Sequence, residues 1–219
     1  MRMARKRVAV LISGRGSNLA ALIAATREPE HPAEIVLVAS NRGDAAGLAR
    51  AKDAGLATAI VDHAGKERPA FEHALQQLLD VNGIELVCLA GFMRLLTPSF
   101  VNHWQGRMIN IHPALLPAFK GLDTHDRALA AGVKIHGASV HFVVAEMDSG
   151  PVIAQGAVPV LDGDTAETLA ARVLDVEHKI YPLALKLVAA GRVEIVDGRC
   201  RVSGSVPTDT RLLVPVIDQ

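Results

Sequence analysis

The sequence lacks the features that mark secreted, membrane-bound or nucleic-acid-binding proteins. It has two cysteines in 219 residues, without the spacing of a disulfide framework, which favours a reducing cytoplasm. Its 23 Lys and Arg residues balance 23 Asp and Glu residues, so no overall field attracts nucleic acid or an anionic membrane. One Trp, one Tyr and five Phe leave little surface for stacking bases. We therefore expect a cytoplasmic protein with small-molecule partners, no nucleic acid and no membrane.

No apolar run approaches the roughly 20 residues that a membrane span needs. The first such run, residues 8–12, is also too short for the core of a signal peptide. Half of the residues are nevertheless hydrophobic, which is enough for one well-buried core with a small C-terminal extension. We predict a single domain over residues 1–219.

Apolar runs alternate with helical segments along the first half of the chain. We predict strands at 7–13, 34–40, 57–61, 84–90 and 107–112, with helices at 19–25, 44–54 and 67–81 and a short helix from 97. Asp44 is expected to cap the second helix. Strands separated by helices predict an α/β fold with a mostly parallel central sheet and helices on both faces.

The second half of the chain predicts an extension of this sheet. A loop with two prolines at 113–117 and a short helix at 124–131 precede strands at 135–144 and 152–160, for which an antiparallel arrangement is left open. Asp164 and Glu167 have the form of a capping box for a helix that can run to Ala190, with a kink at Pro182. Residues 193–196 and 199–202 predict a hairpin, and the tail from Ser203 should be weakly ordered.

A glycine-rich turn, residues 14–18, follows the first strand and precedes the first helix. Gly14 and Gly16 allow a positive φ and a close approach of backbone N–H groups to an anion, while Ser17 and Asn18 lie where the helix exposes its unpaired amides. The turn therefore predicts a phosphate site. An ordinary tight turn into a helix is the alternative, because such turns are common in α/β proteins.

The residues near this turn narrow the range of ligands that it could bind. A dinucleotide fingerprint needs a glycine where Leu19 stands and an acidic residue after the second strand, where the chain has Asn41 and Arg42. No lysine follows as in a Walker loop. A phosphate monoester is therefore favoured, with NADP as an alternative that rests on Arg42 as the partner of a 2'-phosphate.

Asn110 and His112 close the strand at 107–112 and share one of its faces, because side chains alternate along a strand. Asp148, in a later Asp-Ser-Gly sequence, could join them. An amide, an imidazole and a carboxylate can polarise a carbonyl, move a proton and hold the charge of the imidazole, as acyl transfer requires. Taken singly, His112 could be a core histidine and Asp148 an ordinary turn residue.

Metal catalysis is not expected. His136 and His141 are five residues apart and cannot share a face of one strand without a bulge, and no Cys pair or His-x-x-x-His helix accompanies them. His141 is expected to line the pocket or to pack, and His125 to begin a helix.

Four blocks of sequence, taken together, resemble the phosphoribosylglycinamide formyltransferase family. They occur in family-like order and spacing between about Arg7 and Gly191, and they are Ser13–Leu19, Ala90–Leu96, Asn110–Pro117 and His141–Gly150. The resemblance implies a Rossmann-like formyltransferase fold. It also implies that 10-formyltetrahydrofolate, as co-substrate, donates its formyl group directly to the amine of 5'-phosphoribosylglycinamide in de novo purine biosynthesis, without a metal.

The resemblance further implies roles for individual residues. Asn110 and protonated His112 would stabilise a tetrahedral oxyanion, and Asp148 would keep His112 charged and assist proton removal. The ribonucleotide would be held by Gly16, Ser17 and Asn18 at its phosphate and by Glu177 at its ribose. The folate would be bound by Arg68, Met93, Arg94, Leu95, Leu96, Asn110, Val143, Val144, Ala145, Glu146 and Met147.

Some of these residues have other possible interpretations. Without the resemblance, Arg68 and Glu177 would be interpreted as solvated helix charges. Ala114 and Asp123 stand where the family often has Ser and His, and both lie in the loop expected over the active site.

The resemblance divides the chain into a phosphate-binding half (7–112), a folate-binding and catalytic half (113–191) and a C-terminal hairpin and tail (192–219). The nearest alternative functions are another 10-formyltetrahydrofolate enzyme, such as methionyl-tRNA formyltransferase or formyltetrahydrofolate hydrolase, and a non-catalytic nucleotide-binding module. The two enzymes usually carry an additional domain. A homodimer is left open.

Overall fold

Alternating strands and helices build a seven-stranded sheet with helices packed on both sides. In a computed structural model, which describes residues 4–204 and 214, the elements follow one another as β1 (Lys6–Ile12), α1 (Ser17–Thr26), β2 (Ala33–Ser40), α2 (Ala46–Asp53), β3 (Thr58–Ile60), α3 (Arg68–Val81), β4 (Leu86–Leu89), α4 (Pro98–His103), β5 (Met108–His112), α5 (Thr124–Ala130), β6 (Ile135–Phe142), β7 (Val152–Pro159), α6 (Ala166–Ala189), β8 (Val193–Val196) and β9 (Arg199–Val202). The predicted weak order of the tail concerns residues that, beyond Gly204, lie outside the described part apart from Val214.

The strand order in the sheet is β3-β2-β1-β4-β5-β6-β7. Strands β1 to β5 are parallel to one another, whereas β5 pairs antiparallel with β6, and β6 with β7. The predicted α/β class with a mostly parallel sheet is confirmed, and the two added strands are antiparallel. The order reverses between β1 and β4, and ligands of open α/β sheets bind outside the carboxyl ends of the strands at such a reversal.

Alternate residues of each buried strand serve two hydrophobic cores. Val8, Val10 and Ile12 of β1 pack on one face with α1, α2, α5 and α6. Ala9 and Leu11 pack on the other face with α3 and α4. Because a strand buried on both faces presents apolar side chains throughout, β1 reads as one continuous apolar run in the sequence.

Two predicted helix caps were wrong. Helix α2 begins after Ala45 without a side-chain cap, because the Asp44 carboxylate instead forms an ion pair with Arg42 at 2.7 Å. Helix α6 begins after Thr165, whose hydroxyl accepts from the Thr168 N–H while the Thr168 hydroxyl accepts from the Thr165 N–H.

The carboxylate that was expected to cap α6, that of Asp164, accepts hydrogen bonds from both terminal nitrogens of Arg172, at 2.8 and 2.9 Å. This contact joins the residue before the N-cap of α6 to an arginine of the helix itself. Helix α6 then continues past Pro182, and the predicted hairpin is confirmed as β8 and β9, joined by Asp197 and Gly198. Among the described residues, no helix is both long and apolar enough to cross a membrane.

Candidate active site

The glycine-rich turn between β1 and α1 opens a concave pocket of about 470 Å³ at the carboxyl edge of the sheet. Gly16 adopts a left-handed conformation with φ 72° just before the first residue of α1. The first amides of a helix have no intrahelical partner, so at this position they can bind an anion. The pocket is lined by Ser13, Gly14, Arg15, Gly16, Ser17, Asn18, Asn41, Arg42, His63, Ala90, Gly91 and Met93.

Helix α2 supports the turn from behind. The Gly47 N–H donates to the Gly14 carbonyl at 3.0 Å. A Cβ atom on Gly16 would lie only 2.8 Å from the Gly47 Cα, so the two backbones are in direct contact. Gly16 is therefore required both by its φ angle and by this contact.

Asn18 and Glu177 form a buried pair beneath the pocket. The Asn18 Nδ2 atom donates to Glu177 Oε2 at 2.6 Å, across 159 residues of sequence. Burial raises the pKa of Glu177, and the hydrogen bond from Asn18 opposes that shift. The interpretation of Glu177 as a solvated helix charge is thus wrong. Because the Asn18 side chain is hydrogen-bonded to Glu177, the group of Asn18 that could bind a phosphate is its backbone amide.

Asp148 lies beside the His112 ring, with 3.4 Å between Asp148 Oδ2 and His112 Nδ1. The same carboxylate oxygen accepts the Gly121 N–H at 2.9 Å. Asp148 has φ 51°, a conformation that Asp tolerates better than most residues. Gly150 lets the chain pass the Phe142 carbonyl, which a Cβ atom would overlap. The Asp-Ser-Gly sequence therefore acts as a turn that delivers a carboxylate to the end of β5.

The second nitrogen of the His112 ring also has a partner. His112 Nε2 lies 3.0 Å from the Phe119 carbonyl oxygen. Both ring nitrogens thus face acceptors, a carboxylate and a carbonyl, and this arrangement suits a ring that carries a proton on each nitrogen.

Asn110 lies directly opposite His141 in the β5–β6 pair. The Asn110 Nδ2 atom is 3.3 Å from His141 Nε2, and His141 Nδ1 is 2.9 Å from the Phe142 carbonyl. Because a carbonyl can only accept, Nδ1 carries the proton and Nε2 accepts from Asn110. Burial lowers the pKa of His141, while the Phe142 carbonyl and Asp148 raise it. His141 was expected to line the pocket or to pack, and its contact with the Asn110 amide was not predicted.

The segment Met93–Leu96 leaves β4 beside the phosphate pocket. The Met93 N–H donates to Ser13 Oγ at 2.7 Å, and that hydroxyl donates to Asn41 Oδ1 at 2.6 Å. This network joins the predicted folate segment to the pocket.

The two arginines predicted to bind the folate come together near the start of α3. Arg94 stacks over the Phe71 ring, with 4.7 Å from its guanidinium carbon to the ring centre, and donates to the Lys66 carbonyl at 3.2 Å. Arg68 is the exposed first residue of α3, two positions after Lys66. The structure therefore brings both cations to the same end of this helix.

Val143–Met147, the other predicted folate segment, follows β6. The Val143 N–H donates to the Met108 carbonyl at 2.9 Å, and Val143 packs against the same core cluster as Leu96. One residue of each predicted folate segment, Leu96 and Val143, thus packs on the same face of the sheet. Further along, Glu146 pairs with Lys120 at 3.5 Å, and Met93, Leu95 and Met147 expose large apolar side chains near the site.

The loop between β5 and α5 contains both departures from the family pattern. Ala114 is fully buried and its carbonyl accepts from Ser139 Oγ at 2.7 Å. Asp123 precedes α5 with φ 53° and makes no side-chain cap. Neither side chain contacts His112 or Asp148 in the hydrogen bonds and ion pairs described for these residues.

His136 and His141 contact different parts of the molecule, as their spacing predicted. The His136 ring packs edge-on against the rings of Phe119 and His125, and burial lowers its pKa to about 4. Within residues 4–204 and 214, no group of three His, Cys, Asp or Glu side chains is arranged to hold a metal ion.

The sequence profile of the formyl transferase family matches residues 6–185, which is most of the chain. This chain belongs to the formyl transferase family. The confirmed resemblance extends along the whole length of individual relatives. The phosphoribosylglycinamide formyltransferase of Escherichia coli is 46% identical over 198 residues, covering 90% of this chain and 93% of the relative.

This chain is also similar to a part of much longer proteins. It is 53% identical over 192 residues to the trifunctional purine biosynthetic protein adenosine-3 of Bos taurus, of which it spans about a fifth (87% of this chain, 19% of the relative). Among solved structures, the glycinamide ribonucleotide transformylase 1 of Symbiobacterium toebii superposes with a TM-score of 0.88 at 48% identity, over 90% of this chain and 94% of that one.

Proposed function

We propose that this protein transfers the formyl group of 10-formyltetrahydrofolate to the amine of 5'-phosphoribosylglycinamide, a step of de novo purine biosynthesis. The observation that carries the proposal is the His112–Asp148 contact of 3.4 Å, at the end of the strand that also presents Asn110 and at the same carboxyl edge of the sheet as the predicted phosphate turn. The names of the relatives support the ribonucleotide as the formyl acceptor. Cytoplasmic location and small-molecule substrates, without nucleic acid, membrane or metal, complete the proposal.

The reaction proceeds by direct attack. The amine lone pair forms a C–N bond to the formyl carbon, and the carbonyl electrons move to oxygen. One N–H of Asn110 and the His112 ring stabilise that oxyanion. The intermediate collapses when the bond to N10 of the folate breaks, N10 takes a proton, and the former amine loses one, assisted by Asp148. For His112 Nε2 to donate, the formyl oxygen has to compete with the Phe119 carbonyl, 3.0 Å away.

The ribonucleotide binds at the start of α1. Backbone amides of Gly16, Ser17 and Asn18 hold the phosphate, since the helix terminus supplies unpaired donors there. Glu177 accepts from a ribose hydroxyl with the carboxylate that Asn18 orients. A buried carboxylate whose one oxygen is already bonded is well placed to distinguish a hydroxyl from an apolar group.

The folate lies across the two segments that each place a residue on the same face of the sheet. Met93–Leu96 and Val143–Met147 enclose the pterin, and Asn110 lies between them and the substrate amine. Arg68 and Arg94 bind the glutamate carboxylate at the start of α3. Because the charge of Arg94 already stacks on Phe71, its guanidinium is oriented before a carboxylate arrives.

A coupled assay tests the proposal. The protein is supplied with 10-formyltetrahydrofolate alone, with the ribonucleotide alone and with both, and the loss of formyl-folate is followed with the appearance of formylated ribonucleotide. We expect loss only when the amine is present. Loss of formyl-folate without the amine would indicate a hydrolase, and saturable binding without any loss would indicate a binding module. In a separate titration, tight binding of NADPH would favour an oxidoreductase. Each of these results would contradict the proposal.

A further inference from the structure

Three consecutive residues, called here the 119–121 segment, contact both members of the proposed catalytic pair. The Phe119 carbonyl accepts from His112 Nε2 at 3.0 Å. The Gly121 N–H donates to Asp148 Oδ2 at 2.9 Å. Because a backbone carbonyl and a backbone amide make these contacts, the path of the main chain here determines where both catalytic side chains lie.

The backbone of the segment has an uncommon conformation. Phe119 has φ 53°, in the left-handed region that bulky L residues rarely adopt. Such a conformation persists where surrounding contacts hold it. One such contact is the hydrogen bond from Lys120 Nζ to Ser149 Oγ, at 2.6 Å, which ties the segment to the residue that follows Asp148.

Arg127, on α5, holds the segment from its other side. Its Nη1 atom donates to the Lys120 carbonyl at 2.6 Å and to the Leu122 carbonyl at 3.3 Å. Its guanidinium carbon lies 5.8 Å from the centre of the Phe119 ring. The next residue, Ala128, is fully buried in the core, so Arg127 extends from a helix that is itself fixed to the sheet.

We propose that Arg127 is a positioning residue for the transfer reaction. The inference rests on the proposed function, since the pair that Arg127 positions is the proposed catalytic pair. Arg127 does not touch either side chain of that pair. It fixes the Lys120 carbonyl within the strained segment and the Leu122 carbonyl just after it, and the segment in turn holds the His112 ring and the Asp148 carboxylate at their separation of 3.4 Å.

The test compares two arginines that make the same kinds of contact. Arg127→Met removes the guanidinium that holds the 119–121 segment. Arg107→Met is the matched control, because Arg107 also donates to a backbone carbonyl, that of His103 at 2.7 Å, and also stacks on an aromatic ring, that of Trp104 at 4.7 Å. Arg107 has no contact with the 119–121 segment among the hydrogen bonds described for it.

We expect Arg127→Met to lower kcat by up to about 100-fold, because small displacements of catalytic groups cost this much, while both KM values stay close to those of the unaltered protein. The kcat of Arg127→Lys should lie between that of the unaltered protein and that of Arg127→Met, since an ammonium can bond one carbonyl but lacks the planar fork of a guanidinium. Arg107→Met should keep its kcat. Unchanged kcat in Arg127→Met, or equal losses in both methionine variants, would overturn the proposal.

A second measurement does not depend on turnover. The imidazole signals of His112 are assigned in NMR spectra by their absence from His112→Gln and compared at one pH. They should shift in Arg127→Met and stay in place in Arg107→Met, and unshifted signals in Arg127→Met would refute the positioning role. If the unaltered protein fails to transfer a formyl group, the proposed function is wrong, whereas the NMR comparison still decides whether Arg127 sets the His112 environment.

Discussion

Replacing Asp148 by Asn isolates the charge of the proposed catalytic carboxylate. Asn is the suitable substitute because it tolerates the left-handed backbone at φ 51° and its amide oxygen can still accept the Gly121 N–H. An alanine would remove the hydrogen bond and strain the turn as well. Asp148→Asn therefore leaves the shape of the site intact and removes the anion that faces His112.

The separation of 3.4 Å sets the size of the effect. With an effective dielectric constant of about 20, two unit charges at that distance attract by about 5 kcal/mol. If all of this acted in the transition state, kcat would fall by roughly 10³- to 10⁴-fold, which is an upper limit. Loss of one oxyanion donor alone costs about 10²- to 10³-fold. We therefore expect a loss in kcat of at least about 10²-fold.

The formyl-transfer assay is run with both substrates saturating, and Tm is measured alongside. Asp162→Asn is the control, since Asp162 is an exposed carboxylate 3.3 Å from Lys134 and such surface pairs contribute little. The control should keep its kcat. A near-normal kcat in Asp148→Asn would refute the assigned role, and a large fall in Tm would mean that the turn, and not the charge, had been removed.

Three further predictions concern the rest of the site and the core. Asn110→Ala should slow turnover by roughly 10²- to 10³-fold, measured in single turnovers, and a smaller loss would argue against an oxyanion contact. Asn18→Ala should raise KM for the ribonucleotide because it removes the hydrogen bond that orients Glu177 at the proposed ribose site, and a change confined to the folate KM would contradict that site. Because burial lowers the pKa of His136 to about 4, the unfolded chain takes up a proton between pH 6.5 and about 4 that the folded chain does not. The free energy of unfolding should therefore fall as the pH falls through that range, and His136→Leu should lose less of it in urea titrations; equal losses would exclude the mechanism.

The fold and half of the catalytic geometry could be predicted because they follow from local periodicity. The alternation of apolar runs with helical segments predicted the sheet, and the two-residue spacing of Asn110 and His112 predicted their common strand face. The caps were mispredicted because arginines took the carboxylates, one from before α2 and one from within α6. Arg42 pairs with Asp44, and Arg172 holds Asp164.

The remaining contacts could not be predicted because they join distant or featureless positions. Asn18 and Glu177 are 159 residues apart, so no spacing rule relates them, and only the family resemblance placed both at the substrate. The partner of His112 Nε2 is the main-chain carbonyl of Phe119, and a carbonyl has no sequence signature. The same holds for Arg127, whose targets are also carbonyls.

The contact between Gly16 and Gly47 would make the proposed phosphate turn a preformed site. The neighbouring helix holds the turn in its curved conformation before any ligand binds, so little conformational entropy should be lost when an anion binds. The two glycines are therefore linked in any redesign. A bulkier residue at position 47 would reshape the anion cradle without touching the ligand, and engineers who wish to admit a larger headgroup should alter α2 before the turn itself.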